Sequence, residues 1–391
     1  SDVYKRQFID RAMAGAGAKA ERTFILPTIH HCPLEPHGCV SDFKDGKLEY
    51  HESTQGICGA HRAITNGTGI QSSKVRSHCD HAGGGFGCKI SPWYDAKRGA
   101  LASKELSAPV KYMENRATVL LDGGGRKADW QHVIFAAKKD GTLLADWRKG
   151  FRGMGGYWYK VQQSKRKGNR GVGFTGYGST PVLRAPGRPE PQFVIESMID
   201  AVAYELNMDP LAIRLKADPS LKKWFDIGAK AIDWDKRRQK KPGSMPGPLQ
   251  RGVGVGVGEF GSFRGCDFIE VEVDTETGQV SVKKVVAIAQ GGFLNKRGAE
   301  SQIYGGVLMG LSWALFEERV MDPATGAMLN PNMETYKLLG SMDTPDIDIK
   351  LIGTFGDAGR LGEFPVVPVF GAISNAIYNA IGVQVTHMPF T

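Results

Sequence analysis

The stretch that most restricts this chain is DHAGGGFGCK, Asp80 to Lys89. Four of the five positions from Gly83 to Gly87 are glycine. Such a run suits neither helix nor strand, because fixing glycine costs more backbone entropy than fixing any other residue. It points to tight turns or to the close approach of another body. A cofactor laid against this backbone, with N–H groups turned toward phosphate or oxo oxygens, is one reading. A surface loop between a strand and the helical pattern behind it is the other. The run is neither a GxGxxG fingerprint nor a Walker sequence, since Lys89 lacks the required spacing and is followed by Ile90.

The 391 residues suffice for two or three domains with real cores. No run approaches 18 apolar residues, so no bilayer-spanning helix is expected. The opening SDVYKRQFIDRAM has no apolar leader core and no initiator Met. A cytoplasmic protein is the expectation, with the periplasm left open. The formal charge of +9 is concentrated in Lys160–Arg170 and Lys236–Lys241. Neither run interleaves basic and aromatic residues as a platform for bases requires, so nucleic acid is not the expected partner. Solvated loops, or a face meeting an acidic partner subunit, account for them. Five of six cysteines lie between Cys32 and Cys88, and seven of nine histidines between His30 and His81. No CxxC pair and no HExxH occurs there, so no closed zinc or iron–sulfur site is expected and the thiols read as free.

Residues 1–23 read as a connector or the remnant of a preceding domain. From Phe24 come short extended pieces, with a hairpin turning at Asp45-Gly46. Gln55 falls at the exit of the second strand, where a polar side chain either points at a ligand or serves as an ordinary loop amide. A helix is expected over Ala60–Thr68, a strand ending near Cys79, and a helix over Tyr94–Leu106. Strands are expected over Val110–Glu114 and Ala128–Lys138, then loop through 147–180 for want of periodicity. Apolar residues at helical spacing mark Gln192–Met208, which Asp209-Pro210 stops. A Pro/Gly-rich linker at 241–249 gives a boundary, with domains at 24–250 and 251–391. Beyond it lie the glycine-valine alternation from Arg251 to Gly258, a strand pair over Phe268–Ile288, a helix over Gln302–Glu318 and a C-terminal helix. The fold class is α+β, with mixed sheets, β-hairpins and packed helices.

Seven stretches fall in one familiar order: LEPHGCV (34–40), STQG (53–56), GGGFGCK (83–89), RAPG (184–187) with its PQFVIES helix, DTETGQV (274–280), GLSWALFEE (310–318) and LGEFPVVPVFGAISNAIYNAIGVQV (361–385). Together they resemble the molybdenum-binding large subunit of the xanthine dehydrogenase and aldehyde oxidoreductase family. The resemblance implies a multidomain molybdopterin-binding fold holding a molybdenum–molybdopterin cofactor, often in the cytosine dinucleotide form. It implies hydroxylation of an aldehyde or electron-poor aromatic heterocycle with oxygen from water. Electrons would leave through [2Fe–2S] centres, commonly also FAD, on partner subunits, in an assembly such as a dimer of heterotrimers.

On this resemblance Gln55 matches the glutamine beside an oxygen ligand of molybdenum. Gly84, Gly85, Phe86 and Gly87 match the loop facing the metal centre, and Arg184 the arginine beside the cofactor. Arg152, in FRGMGG, competes with Arg184 for that assignment. Glu363 matches the general base, which must reach the oxygen nucleophile and take its proton. Ile90 stands where purine-hydroxylating relatives carry glutamate, which argues against a purine. Two departures stand out: the usual N-terminal domain and a GQG segment have no counterpart, and Gln290-Gly-Gly and Asn295-Lys replace family residues. These gaps support the competing expectation of a non-catalytic structural or assembly subunit, against which Gln55, Arg184 and Glu363 weigh.

Overall fold

The computed structural model describes residues 2–90, 94–150, 159–168, 182–356 and 359–390. The chain opens with α1 (Asp2–Ala12), β1 (Ala18–Leu26), β2 (Gly38–Lys44) and β3 (Lys47–Glu52). Then follow α2 (Ile57–Thr68), β4 (Val75–His78), α3 (Tyr94–Leu106), β5 (Val110–Met113) and α4 (Arg116–Asp122). Strands β6 (Asp129–Ala137), β7 (Leu143–Gly150) and β8 (Gln163–Gly168) precede α5 (Pro189–Glu205), α6 (Pro210–Ala217), α7 (Lys222–Ile232) and α8 (Trp234–Arg237). The last part is β9 (Leu249–Phe260), β10 (Phe263–Asp274), β11 (Val280–Phe293), α9 (Lys296–Leu315), β12 (Asp346–Phe355) and α10 (Val369–Ile381). Among the described residues the mixed α+β architecture has three four-stranded sheets, ordered β1-β6-β7-β8, β4-β3-β2-β5 and β12-β11-β10-β9.

Local signals account for several elements. Asp45 and Gly46 turn the β2–β3 hairpin with φ of 52° and 75°, the positive values a two-residue turn of this type needs. Helix α3 has the predicted bounds. Asp209 starts a helix as well as ending one: its carboxylate accepts from Leu211 N and caps α6, with Pro210 in the first turn.

Residues 1–23, expected as a connector or the remnant of a preceding domain, pack onto the fold: β1 pairs with β6 from Ala18 to Leu26, and Ala12 of α1 and Met13 after it cluster with Ile134, Ala136 and Trp147. Small residues carry little periodic signal, yet their burial here is tertiary. The stretch 147–180 is not all loop, because β7 runs to Gly150 and β8 pairs parallel to it. FRGMGG, with Arg152, lies outside the described residues.

The glycine-valine alternation has a packing cause. Val253, Val255 and Val257 are buried on one face of β9. On the other face Gly252, Gly254 and Gly256 meet α10 backbone: a Cβ on each would lie 2.2–2.4 Å from Ala380 N, Ala376 N or Pro368 O. Helix α10 thus lies directly on the strand's backbone. Phe364–Ile381 reaches 18 residues at a mean hydropathy of 1.4, longer than the sequence reading allowed, and 89% of it is buried inside the protein. That burial is the environment of a core helix. One hydrophobic core joins Phe24, Phe193, Val255, Ile373 and Phe390 across the 241–249 linker, while β2–β4 with α2 and α3 enclose a smaller one.

Candidate active site

The cavity at the centre of the site arises where three segments distant in sequence meet. It measures about 450 Å³ and is lined by Gln55, Gly85, Phe86, Gly87, Arg184 and Glu363. Ile90, Val182, Gln302, Gly305 and Met309 complete much of the wall. Gly84 borders the cavity without lining it; its side faces Phe86 and Pro33.

Gln55 lies between β3 and α2. Its backbone N donates to Lys89 O at 2.8 Å. Its side-chain Oε1 accepts from Gly87 N at 2.9 Å and Lys89 N at 3.2 Å. The oxygen is therefore committed to the glycine turn, and the amide –NH₂ is left to donate into the cavity. Gly85 must lack a side chain, because a Cβ there would lie 2.3 Å from Gln55 Oε1. Gly87, at φ 118°, leaves no room either, since its Cβ would lie 1.7 Å from Val182 O. Gly87 N–H is thus used inside the protein. Among the described residues the Gly85 and Phe86 N–H groups meet no protein acceptor.

A buried network that the sequence reading did not single out supports this turn. Lys89 Nζ, fully buried, donates to Glu35 O at 2.9 Å, Glu35 Oε2 at 3.0 Å and Ser53 Oγ at 2.7 Å. Glu35 Oε2 also accepts from Gly83 N at 2.6 Å. The Ser53 hydroxyl, which also donates to Glu35 Oε2, together with Gly83 N and Lys89, holds the half-buried Glu35 carboxylate below its usual range. Its signal was the glutamate of LEPHG beside the lysine ending the glycine run. Behind the turn His31 Nε2 lies 2.9 Å from Val182 O, and burial pulls its pKa down to about 3. Burial also lowers His30 and His37 to about 4, so all three rings are neutral at pH 7.

Arg184 bridges the two halves. Its N donates to Phe86 O at 2.9 Å, and its guanidinium donates to Gly362 O and, at 3.0 Å, to Gln302 O. Burial lowers its pKa to about 10, and it remains charged at pH 7. Arg126 in turn holds Arg184 O and pairs with Glu190 at 2.9 Å. Glu363 accepts a hydrogen bond from Ala185 N through Oε2. Its other oxygen meets no partner among the described residues. Two of the replaced positions serve the fold: Gln290 Oε1 accepts from Trp224 Nε1 at 2.6 Å, and Asn295 caps α9 by accepting from Gly298 N at 2.7 Å.

The cavity offers an amide donor, two backbone N–H groups, a guanidinium nearby and one carboxylate beside a turn whose Gly85 and Gly87 have no room for side chains. That donor set fits the oxygen-rich end of a molybdopterin cofactor.

Sequence comparison agrees with the geometry. Two family profiles, each described as molybdopterin cofactor-binding domain, match residues 2–165 with 158–217 and residues 260–345. The protein named membrane-bound aldehyde dehydrogenase (pyrroloquinoline-quinone), from Gluconacetobacter polyoxogenes, is 26% identical over 99% of this chain. The chain spans only 55% of that relative's length. The aldehyde oxidoreductase molybdenum-binding subunit PaoC of Escherichia coli O157:H7 is 23% identical, the match covering 98% of this chain and 76% of that one. In fold, the crystal structure of quinoline 2-oxidoreductase from Pseudomonas putida 86 superposes with a TM-score of 0.84, covering 98% of this chain and 76% of that one at 15% identity. With the profiles covering more than half of the chain, it belongs to the molybdopterin cofactor-binding family of the xanthine dehydrogenase and aldehyde oxidoreductase type.

Proposed function

We propose that this chain is the molybdenum-binding part of a hydroxylase that oxidises an aldehyde or an electron-poor aromatic heterocycle. The observation that carries this reading is the single cavity shared by Gln55, the Gly85–Gly87 turn, Arg184 and Glu363. In the net reaction a substrate C–H becomes C–OH with oxygen from water, releasing two electrons and two protons. The cofactor, when bound, supplies the two-electron redox chemistry.

The chain's own residues bind, orient and move a proton. Gln55 –NH₂ donates to an oxygen of the bound group, and its orientation is enforced by the two N–H bonds on Oε1. The Gly85 and Phe86 N–H groups add two neutral donors that cost no reorganisation during the reaction. Arg184 offsets negative charge on the cofactor side. Glu363, held by the Ala185 N–H, presents Oε1 as the general base that takes a proton from the water-derived oxygen. Phe86, Val182, Ile90 and Met309 give the wall an apolar portion, which suits an aldehyde or aromatic substrate, and Ile90 gives a purine no carboxylate to pair with. A cytosine dinucleotide form of the cofactor, and partner subunits carrying [2Fe–2S] and FAD, complete the proposal.

Metal analysis of the purified complex tests it. About one molybdenum per chain is expected; a folded complex with none would remove the hydroxylase reading, leaving a non-catalytic scaffold or a quinone enzyme. Glu363→Gln is expected to keep molybdenum and lose turnover by about 10²-fold or more, the scale of a general base. Near-normal turnover in that variant would strip Glu363 of its role.

A further inference from the structure

A second cluster of chemistry-bearing side chains lies on the outer face of the β4-β3-β2-β5 sheet. Alternation along β3 buries Leu48, Tyr50 and Glu52 and turns Lys47, Glu49 and His51 outward. Parallel pairing of β3 with β4 sets His51 directly beside His78. The two imidazoles stack with centroids 4.4 Å apart and planes 13° from parallel. Glu49, two residues before His51 and on the same face, places Oε2 at 2.7 Å from His78 Nε2. One ligand atom from each of the three side chains lies within 4.8 Å of the other two.

A surface ion pair accounts for Glu49 and His78 and contributes about 1 kcal/mol at most. His51 adds only its stacking on His78. One metal ion engages all three groups. Two histidine nitrogens and a carboxylate oxygen form a recurrent zinc ligand set, with bonds of about 2.0–2.2 Å and donors therefore about 3.4 Å apart. To reach that spacing from within 4.8 Å the two imidazoles turn out of their stack, a movement the exposed side chain of His51 has room to make. His51 and His78 also line a cleft of about 280 Å³ together with Asp80 and His81.

We propose that Glu49, His51 and His78 form a site for one divalent transition-metal ion, zinc being the ion the donor set suits. The site is separate from the molybdenum cavity. It would cross-link β3 to β4 shortly before Gln55 and the glycine turn, and so brace the segments that carry both.

The test uses the full chain stripped with a chelator and titrated with Zn²⁺ alone, followed by calorimetry and metal analysis, with Co²⁺ absorption reporting coordination. One saturable equivalent is expected, with a rise in apparent Tm. The double variant His51→Ala/His78→Ala is expected to lose at least about 10-fold in affinity together with the Tm rise, since even indirect ligand supports are worth that much. Glu49→Gln, a conservative change at an exposed position, is expected to weaken binding and serves if the double variant does not fold. His387→Ala, remote from the cluster, is expected to bind as the parent does. No saturable zinc, or binding undiminished in the cluster variants, would overturn the proposal.

Discussion

Gly256→Ala isolates the physical cause of the glycine-valine strand. A Cβ at this position would lie 2.2 Å from Pro368 O and 2.5 Å from Ala372 N, against ordinary contacts of about 3.4 Å. Relief requires α10 to move by about 1 Å. Movement of the helix is resisted by α5, since Gly371, beside Gly256, also faces Glu196, where an added Cβ would lie 2.6 Å from Glu196 Cβ. Overpacking of this kind costs about 3 kcal/mol at the upper end of its usual range. Replacing glycine in a strand returns about 0.5–1 kcal/mol of backbone entropy. The net loss is about 2 kcal/mol, and at about 2 °C per kcal/mol the apparent Tm should fall by about 4 °C. Because Pro368 starts α10 five residues after Glu363, turnover should fall as well. Differential scanning fluorimetry and a dye-reduction assay read both effects. Gly326→Ala is the control: its φ of 71° carries strain of about 1–2 kcal/mol, but nothing lies within 4 Å of the added carbon. A Gly256→Ala chain melting within about 1 °C of the parent with full turnover would refute backbone contact between β9 and α10.

Acid should destabilise the protein through His30, His31 and His37. Their folded pKa values, about 4, 3 and 4, lie below the unfolded value of 6.5, so their contribution is present above pH 6.5 and is lost as pH falls toward 4. Each adds a slope of up to about 1.4 kcal/mol per pH unit; apparent Tm followed from pH 7.5 to 4.5 tests this, and His31→Gln, which keeps a donor for Val182 O, should flatten the curve. A Tm unchanged between pH 7 and 5 would contradict it. Arg214→Leu should cost at least about 3 kcal/mol, because it strands the buried carboxylates of Glu196 and Asp200, now 2.8 Å and 2.6 Å from the guanidinium. Equal yield and melting would show the triad to be dispensable. Lys89→Met should loosen the glycine turn and lower molybdenum content several-fold with the far-ultraviolet circular dichroism retained; full metal loading would dismiss the support role of Lys89.

Much of the local structure was legible because its causes are local. Asp45-Gly46 needs positive φ, and α3 begins and ends where its apolar spacing and the approach of Pro109 require. The site motifs were legible for a related reason: Gly85 and Gly87 tolerate no side chain, so the turn requires a glycine run that stands out in the sequence. The order of seven such strings then identified the family, which no single one could have done.

Other features depend on which segments meet. Residues 18–23 look like a linker until β6 pairs with them, and β8 is a strand only because β7 lies beside it. The glycines of β9 read in sequence only as an alternation with valine, whereas they are the surface on which a helix backbone rests. Lys89 acquires its role from Glu35 and Ser53, and His51 meets His78 through strand register rather than sequence spacing. Spacing rules for metal ligands find neighbours along one element and are blind to pairs across two. The amino-acid order determined the family, the main turns and the residues suited to oxygen and proton chemistry. Folding alone decided that Gln55, Arg184 and Glu363 share one cavity, because burial of a common core, not chain proximity, brings their segments together.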